Sequence, residues 1–326
     1  MRKKIRARQV FILLLLFVVI SVSIDLIRIS GYEVVPRRPS ESIHLGQDQL
    51  YYDLVNGSTD IHWEVLDGTL EYISAESDCA DFRLVNLVRI LYDFGDKIPA
   101  GYKSDIENVL LNFRYWWDEP GENSMCYWSE NHQVLFASAE YLIGQLYPER
   151  IFPNSGLTGK EHMEKARTRL LDWLEMRWNY GFIEYYSGVY YEEDIGALIN
   201  LIDYAGDEEL VIKGQIILDL LFYDVASQNI NTMFVSVSGR AYEGNRKGGA
   251  GSTLGGLTNY YWGDGKKIGA GMMYGMMVTK KYALPPVLVE IARDSSDVII
   301  KQSNGLDIPV LIHEGYYGTD NRSMMM

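Results

Sequence analysis

The stretch YWSENHQVLF, residues 127–136, sets Asn131 beside His132 at the start of an apolar stripe. An amide can donate to a carboxylate or a developing oxyanion, and an imidazole with a pKa near ~6.5 can take a proton at neutral pH. Two other stretches offer partners. VYYEEDIGAL groups Tyr190, Tyr191, Glu193 and Asp194, while SGRAYE holds Arg240 and Tyr242. A tyrosine can return a proton and an arginine can grip an anion bidentately. The acids support a rival chemistry, because glycosidic hydrolysis uses two carboxyl groups, one protonated and one ionised. Glu184, Glu193 and Asp194 are candidates for that pair, as are Asp118 and Glu130. Trp116, Trp117 and Trp128 supply flat faces suited to stacking on sugar rings.

Each of these residues has a plainer reading. Ser129 can be a helix N-cap with Asn131 and His132 facing solvent in the first turn. Arg240 can pair with a neighbour and tie a loop down. The acids of YYEED can complement the dipole at a helix start.

The elements that must position these groups are helices. DFRLVNLVRILYDFG carries a broad apolar stripe with Gly95 near its end. Ser104 and Glu107 have capping-box spacing before NVLLNFRYWW, and Pro120–Gly121 would stop that helix. HQVLFASAEYLIGQL runs on to Pro148. Thr158 and Glu161 form a second capping box, opening a long amphipathic segment that Gly181 ends. Helices over roughly 190–204 and 207–226 flank a short AGDEE turn, so they are expected as antiparallel neighbours. Beyond residue 227 the chain reads as a long loop with strand pieces, and loops of such length are commonly functional. LTNYYWG, IGAGMMYGMMVTKKY and PPVLVEIARDSS resume helical patterning, the methionines 272, 273, 276 and 277 at core spacing. DVIIKQSNGLDIPVLIHEGYY reads as strand, turn, strand.

Composition narrows the function classes. The chain of 326 residues has 44 acids against 30 bases. Residues 1–30 hold six of the bases and one acid, so 24 bases face 43 acids in the rest. So negative a body repels nucleic acid, and no nucleic-acid partner is expected. GGAGSTLGG and GAGMMYG lack the GxGxxG spacing, GxxxxGK[ST], HExxH and GxSxG are missing, and histidines 44, 62, 132, 162 and 313 form no ligand spacing. No cofactor and no metal are expected on those grounds. Cys79 and Cys126 permit at most one disulfide.

The amino terminus reads as an export signal. Arg2, Lys3, Lys4, Arg6 and Arg8 precede an apolar run from Val10 to Ile24 broken by Ser21 and Ser23. Residues 1–30 are thus expected as a signal anchor or a cleaved signal peptide, with the anchor favoured, and the remainder facing outward or secreted. Residues 31–50 read as a tether and 51–326 as the folded domain.

MCYWSENHQVLFASAEYLIGQLYPERIFPNSGLTGKEHMEKA, VYYEEDIGALINLIDYAGDEE and SGRAYE together resemble a family of exported bacterial and fungal proteins with α/α-toroid folds. That family is similar to the six-hairpin carbohydrate-active enzymes near the heparinase II/III, alginate and chondroitin lyases. The resemblance spans roughly residues 77–326. It implies an all-α fold, a partial α/α toroid of helical hairpins, with minor β-structure at the C-terminal end. It also implies β-elimination on a uronate-containing polysaccharide or oligosaccharide. In that chemistry Asn131 would neutralise the carboxylate, His132 would take the C5 proton, Tyr190, Tyr191 or Tyr242 would protonate the leaving oxygen, and Arg240 would hold the anion. Two departures stand out. The helix count is below that of six full hairpins, and the C-terminal sheet domain common in those lyases is not expected from this sequence; GTDNRSMMM also follows an apolar strand signal directly, as in a chain cut short at its C-terminus. A hydrolase using Glu184, Glu193 or Asp194, a glycan-binding scaffold and a truncated remnant are the alternatives.

Overall fold

A computed structural model of the chain describes residues 12–23, 43–242, 252–302 and 309, and it divides into two units, Met1–Ser42 and Ile43–Met326. In the first unit residues 12–23 are one helix, α1, and its apolar side chains from Ile12 to Val22 are exposed. Among the described residues no helix is long and apolar enough to cross a membrane. The rest of the expected signal segment, and residues 31–42 of the expected tether, lie outside the described residues.

The described part of the second unit is mostly helical. Its elements are α2 (Ile43–Val55), α3 (Val65–Ser74), α4 (Ala80–Phe94), α5 (Ala100–Asn112), α6 (Glu130–Leu146), α7 (Gly159–Tyr180), α8 (Tyr191–Tyr204) and α9 (Glu208–Ser227). A two-stranded hairpin follows, β1 (Asn229–Ile230) against β2 (Met233–Phe234), with Asn229 opposite Phe234. Then come α10 (Gly255–Trp262), a 3₁₀ turn (Met272–Tyr274) running into α11 (Gly275–Val278), and α12 (Pro286–Arg293).

Burial sorts the long helices into two kinds. In α4, α6 and α8 nearly every residue of the first three turns is buried, as expected of helices enclosed on all sides. In α7 the buried residues are Gly159, His162, Ala166, Leu170, Trp173, Leu174 and Arg177, one stripe at helical spacing. α7 therefore lies outside and covers α6. The three enclosed helices run parallel, because their starts meet at His132, Asp81 and Glu193 and their ends meet at Tyr92, Leu142 and Tyr204. Tyr92 Oη donates to Leu142 O at 2.8 Å and its ring stacks on Tyr204 at 4.6 Å. The outer helices run the other way: Trp173 Nε1, late in α7, donates to Glu130 O at the start of α6, at 3.0 Å.

Local chemistry explains the turns. Thr158 and Glu161 form the full capping box, with both reciprocal bonds present, and Gly181 at φ 71° closes α7. α6 and α7 approach so closely at their joint that a Cβ on Gly144 would sit 2.5 Å from Gly159 O. Asp207 caps α9 by accepting from the amides of Glu209 and Leu210. The methionines do pack inward: Met273 and Met276 are buried, and Met272 lies against Gly196 of α8.

Three expectations are corrected. Residues 43–50, assigned to the tether, belong to α2, where Gln47 and Leu50 are buried and Gln47 Nε2 donates to Arg83 O at 3.1 Å. The helix expected from Ser104 begins instead at Ala100 after Pro99 and stops at Asn112. It stops because Glu119 Oε2 accepts the Tyr115 amide at 2.9 Å and Arg114 donates to the carbonyls of Trp117 and Glu119, folding 113–119 into a loop. Residues 297–302 form no strand, the β-structure lies at 229–234, and the rest of the expected C-terminal β-segment lies outside the described residues.

Candidate active site

The first turns of α4, α6 and α8 bring Asp81, then Glu130, Asn131 and His132, then Glu192, Glu193 and Asp194, to one end of the enclosed layer. Acids gain there from the partial positive charge at helix starts. The segment 182–190 crosses the same end. Ile183 N donates to Glu130 Oε2 at 2.6 Å, and Ser187 Oγ donates to Arg240 O at 3.0 Å, so the irregular segment 238–242 is tied to it.

Asn131 and His132 face inward, not toward solvent. Asn131 is wholly buried; its Oδ1 accepts from Ser129 Oγ at 2.7 Å, and its Nδ2 has no hydrogen-bond partner among the described residues. Ser129 occupies the N-cap position of α6 yet makes no capping bond, its hydroxyl being spent on Asn131. His132 Nδ1 lies 2.5 Å from Asp81 Oδ2, and Phe82 and Phe136 flank its ring. Burial alone would lower its pKa, but Asp81 and the thiols of Cys126 and Cys79 outweigh that and hold it well above the ordinary value. That shift favours the protonated form, although burial raises Asp81 as well, and a protonated ring only 4% exposed is poorly placed for the proton-abstracting role expected of it.

Arg240 and its neighbours form the rim. Arg240 Nη1 meets Glu184 Oε1 at 2.8 Å, and its guanidinium lies 3.9 Å from the centre of the Tyr190 ring. The Tyr190 and Tyr242 hydroxyls bond to each other; Tyr190 is buried and Tyr242 exposed. Tyr191, next in sequence, is excluded from the chemistry. It is fully buried between Phe182 and Phe234, accepts from Tyr186 N at 2.7 Å and donates to Asp224 Oδ2 at 3.3 Å.

The carboxyl groups behind this rim are short of cations. Arg177 lies 3.0 Å from Glu130, and Arg240 holds Glu184. Asp194, 1% exposed, is pushed well above the usual carboxyl range, first by burial and then by Glu130 and Glu184, with only Arg177 opposing. Glu193 is raised likewise by burial, then by Glu192 and Asp194, against the pull of His132. Glu192 is pushed up to about 7, mainly by burial. Among the described residues Asp81 Oδ1, Glu184 Oε2, Glu193 Oε2 and Asp194 Oδ1 are buried without a hydrogen-bond partner. Each such atom costs about 1–3 kcal/mol, and a cluster of them calls for water or a ligand. Asp194 and Glu193 thus hold their protons more tightly than ordinary carboxyl groups, beside Glu184, which Arg240 holds at 2.8 Å.

The remaining candidates lie elsewhere. Asp118 is an exposed partner of Lys165 at 2.8 Å. Glu130 is locked by Arg177 and the Ile183 amide. Trp116 sits under Arg169, 4.2 Å from the guanidinium carbon, and edge-on to Tyr127. Trp117 is exposed, while Trp128 is half-buried with its carbonyl accepting from Gln133. Asp81, Arg177 and the two thiols were not foreseen as site residues; an acid one turn into α4 was the only signal for Asp81.

One other group could bind a cation: Glu119, Glu140 and His162 place ligand atoms within 4.8 Å of one another. The cations are already supplied by the chain, since Lys165 Nζ lies 2.6 Å from Glu119 Oε1 and Arg169 pairs with Glu140. A cleft of about 450 Å³ is lined by Thr232, Met233, Asn259, Lys266, Lys267 and Ile268 with the glycines 255 and 256, and it contains no carboxylate. Comparisons with known protein families, with curated proteins and with solved structures give no match.

Proposed function

We propose that the chain is an exported carbohydrate-active protein that hydrolyses a glycosidic bond, with Asp194 as proton donor and Glu184, paired with Arg240, as the second carboxyl group. The supporting observation is the pairing of a buried, proton-holding Asp194 with an arginine-held Glu184, both with an oxygen left unpartnered among the described residues. Such a split between two carboxyl groups is what acid–base cleavage of a glycoside needs. Glu193 reinforces it as a second protonated acid, and Tyr190, Tyr242 and Arg240 would border the bound sugar.

Hydrolysis is preferred to β-elimination because His132 is buried, its Nδ1 is engaged by Asp81, and that contact favours its protonated form over the free base a C5 proton would need. The inner layer of parallel helices α4, α6 and α8, covered by antiparallel α7 and α9, supports the reading of a partial α/α toroid. The excess of acids in the body favours a neutral polysaccharide or oligosaccharide. The basic residues before apolar α1 support membrane anchoring with the body outward, or secretion after cleavage.

The test is incubation of the purified chain with neutral and acidic glycans. Hydrolysis raises reducing ends without an ultraviolet-absorbing unsaturated sugar. Appearance of that sugar would restore elimination, and binding with neither product would make the protein a glycan-binding scaffold.

A further inference from the structure

Asp194, Glu193 and Glu184 are 1%, 4% and 7% exposed, yet an acid must come within about 3 Å of the oxygen it protonates. A polysaccharide cannot reach groups so enclosed. The site as folded is shut, and part of its surroundings must move to admit a substrate.

Two layers of chain lie over this end of the helices. The inner layer is 182–190, in which Phe182, Glu184, Ser187 and Tyr190 are buried and the Ile183 amide bonds Glu130 of α6. The outer layer is 235–242, which has neither regular structure nor any buried residue. Val235, Val237 and Tyr242 are exposed along it. The residue before it, Phe234, is buried and stacks on Tyr191.

Polar contacts hold the outer layer to the inner one. Gly239 N donates to Tyr185 O at 2.9 Å, Ser187 Oγ to Arg240 O at 3.0 Å and Ser236 Oγ to Tyr186 O at 3.4 Å, and the hydroxyls of Tyr190 and Tyr242 meet. Arg240 adds the strongest tie: its Nη1 donates to Glu184 Oε1 at 2.8 Å while its guanidinium covers the Tyr190 ring at 3.9 Å. Gly239 permits the close approach, because a Cβ there would lie 2.8 Å from Tyr185 Cε1 and 3.3 Å from Ile183 O.

We infer that residues 235–242 are a cover over Glu184 and Asp194, latched by Arg240, which swings clear to admit the glycan. The inference rests on the hydrolase reading for its ligand. Segments with few buried apolar contacts open most readily. On opening, 235–242 exchanges polar bonds for bonds to water, and its valines are in water already. Moving 182–190 instead would expose Phe182 and Tyr190. Buried Phe234 sets the hinge, beside the bond from Val235 N to Gln228 O at 3.1 Å. The Tyr190 face explains how a sugar favours the open form, since the apolar side of a sugar ring and the Arg240 guanidinium compete for the same aromatic surface. Departure of Arg240 also frees Glu184 Oε1 to bond a water. The closed form thus keeps the second carboxyl group engaged until a sugar arrives.

The experiment reads the cover without turnover. The full chain is labelled with a water-soluble carbodiimide and glycinamide and followed by peptide mass spectrometry, with exposed Asp118 as the fast reference and fully buried Glu140 as the slow one. In the parental chain Asp194 is expected to label at least about tenfold more slowly than Asp118. In Gly239→Ala, which wedges the cover against Tyr185, and in Arg240→Ala, its labelling should rise at least about fivefold with Glu140 unchanged. Hydrogen exchange in the parental chain should be at least about a hundredfold faster at the Gly239 amide than in the middle of α6. Asp194 labelling as fast as Asp118 in the parental chain, or unaltered in both variants, would overturn the inference. So would a Gly239 amide as protected as those of α6, because the segment would then open only with the whole domain; this comparison decides even if neither variant folds. Hydrolysis by a chain whose Asp194 labels like Asp118 would keep the hydrolase and remove the cover. The expected labelling with no glycan cut by the parental chain or Gly239→Ala would keep the cover and remove the hydrolase.

Discussion

Helix α6 carries two buried ionic clusters, one in its first turn and one three turns on, and they are built to opposite rules. Around Glu140 and Glu119 all four carboxylate oxygens are answered. Glu140 Oε1 meets His162 Nδ1 at 2.6 Å, Glu140 Oε2 meets Arg169, Glu119 Oε1 meets Lys165 at 2.6 Å and Glu119 Oε2 meets the Tyr115 amide. Burial keeps His162 low in pKa, so its Nδ1–H donates to Glu140 while Nε2 accepts from Ser155 Oγ at 2.8 Å. Around Glu130, Asn131 and His132, by contrast, Asp81, Asn131, Glu184, Glu193 and Asp194 each keep a polar atom that no described residue meets. The carboxylates are structural where all their oxygens are met and available for chemistry where they are not, although Arg169 of the first cluster also keeps Nε and Nη1 unmet among the described residues.

That contrast predicts opposite outcomes for two isosteric substitutions. Asp194→Asn removes the proposed acid and leaves its surroundings intact, so hydrolysis is expected to fall by about 10²–10⁴ while the urea midpoint holds or rises. Activity retained at the parental level would erase the distinction between the clusters. Glu140→Gln does the reverse. It strands Arg169 and part of the charge of Lys165 in the interior, with an expected loss of about 3–5 kcal/mol in urea unfolding and unchanged turnover per folded molecule.

The positions of the long helices were largely legible in the sequence, and their division into enclosed and outer helices and the pairings between distant residues were not. Apolar spacing gave α4, α6, α8 and α9, and the Thr158 box marked the start of α7 correctly. Ser104 and Glu107 show the same spacing and start nothing, because Pro99 sets the helix entrance a turn earlier and the box falls inside α5. Tyr190 and Tyr191 looked equivalent. One residue of helical rotation sends the first to the rim and the second into the aromatic core, and no local signal distinguishes them. The Asp81–His132 and Glu184–Arg240 contacts join residues 51 and 56 positions apart. The first depends on parallel stacking of helix starts and the second on two loop segments crossing at the same end, neither of which periodicity specifies.

A smaller effect sharpens the same comparison through pH. Glu192 has a folded-state pKa near about 7 against an ordinary 4.5, so the folded chain holds that proton more tightly than the unfolded one. Its contribution to stability is complete below about pH 4.5 and is lost as pH rises toward about 7. Subtracting a Glu192→Gln profile from the parental one by urea titration should show a decline on the order of 1–3 kcal/mol across that window. A flat difference would mean that the first turn of α8 is wetter than its burial implies.

The least costly test concerns the two helix starts of the α6–α7 hairpin. Thr158 makes both bonds of its box, so Thr158→Ala should cost about 1 kcal/mol, read from urea unfolding, without altering turnover. Ser129 occupies the corresponding place before α6 and declines the capping bond to hold Asn131 instead. Ser129→Ala therefore removes no cap but releases the Asn131 amide beside the acids, and its effect should appear in turnover before stability. If both variants lost stability alike and neither changed turnover, Ser129 would be an ordinary cap and the first turn of α6 an ordinary helix start.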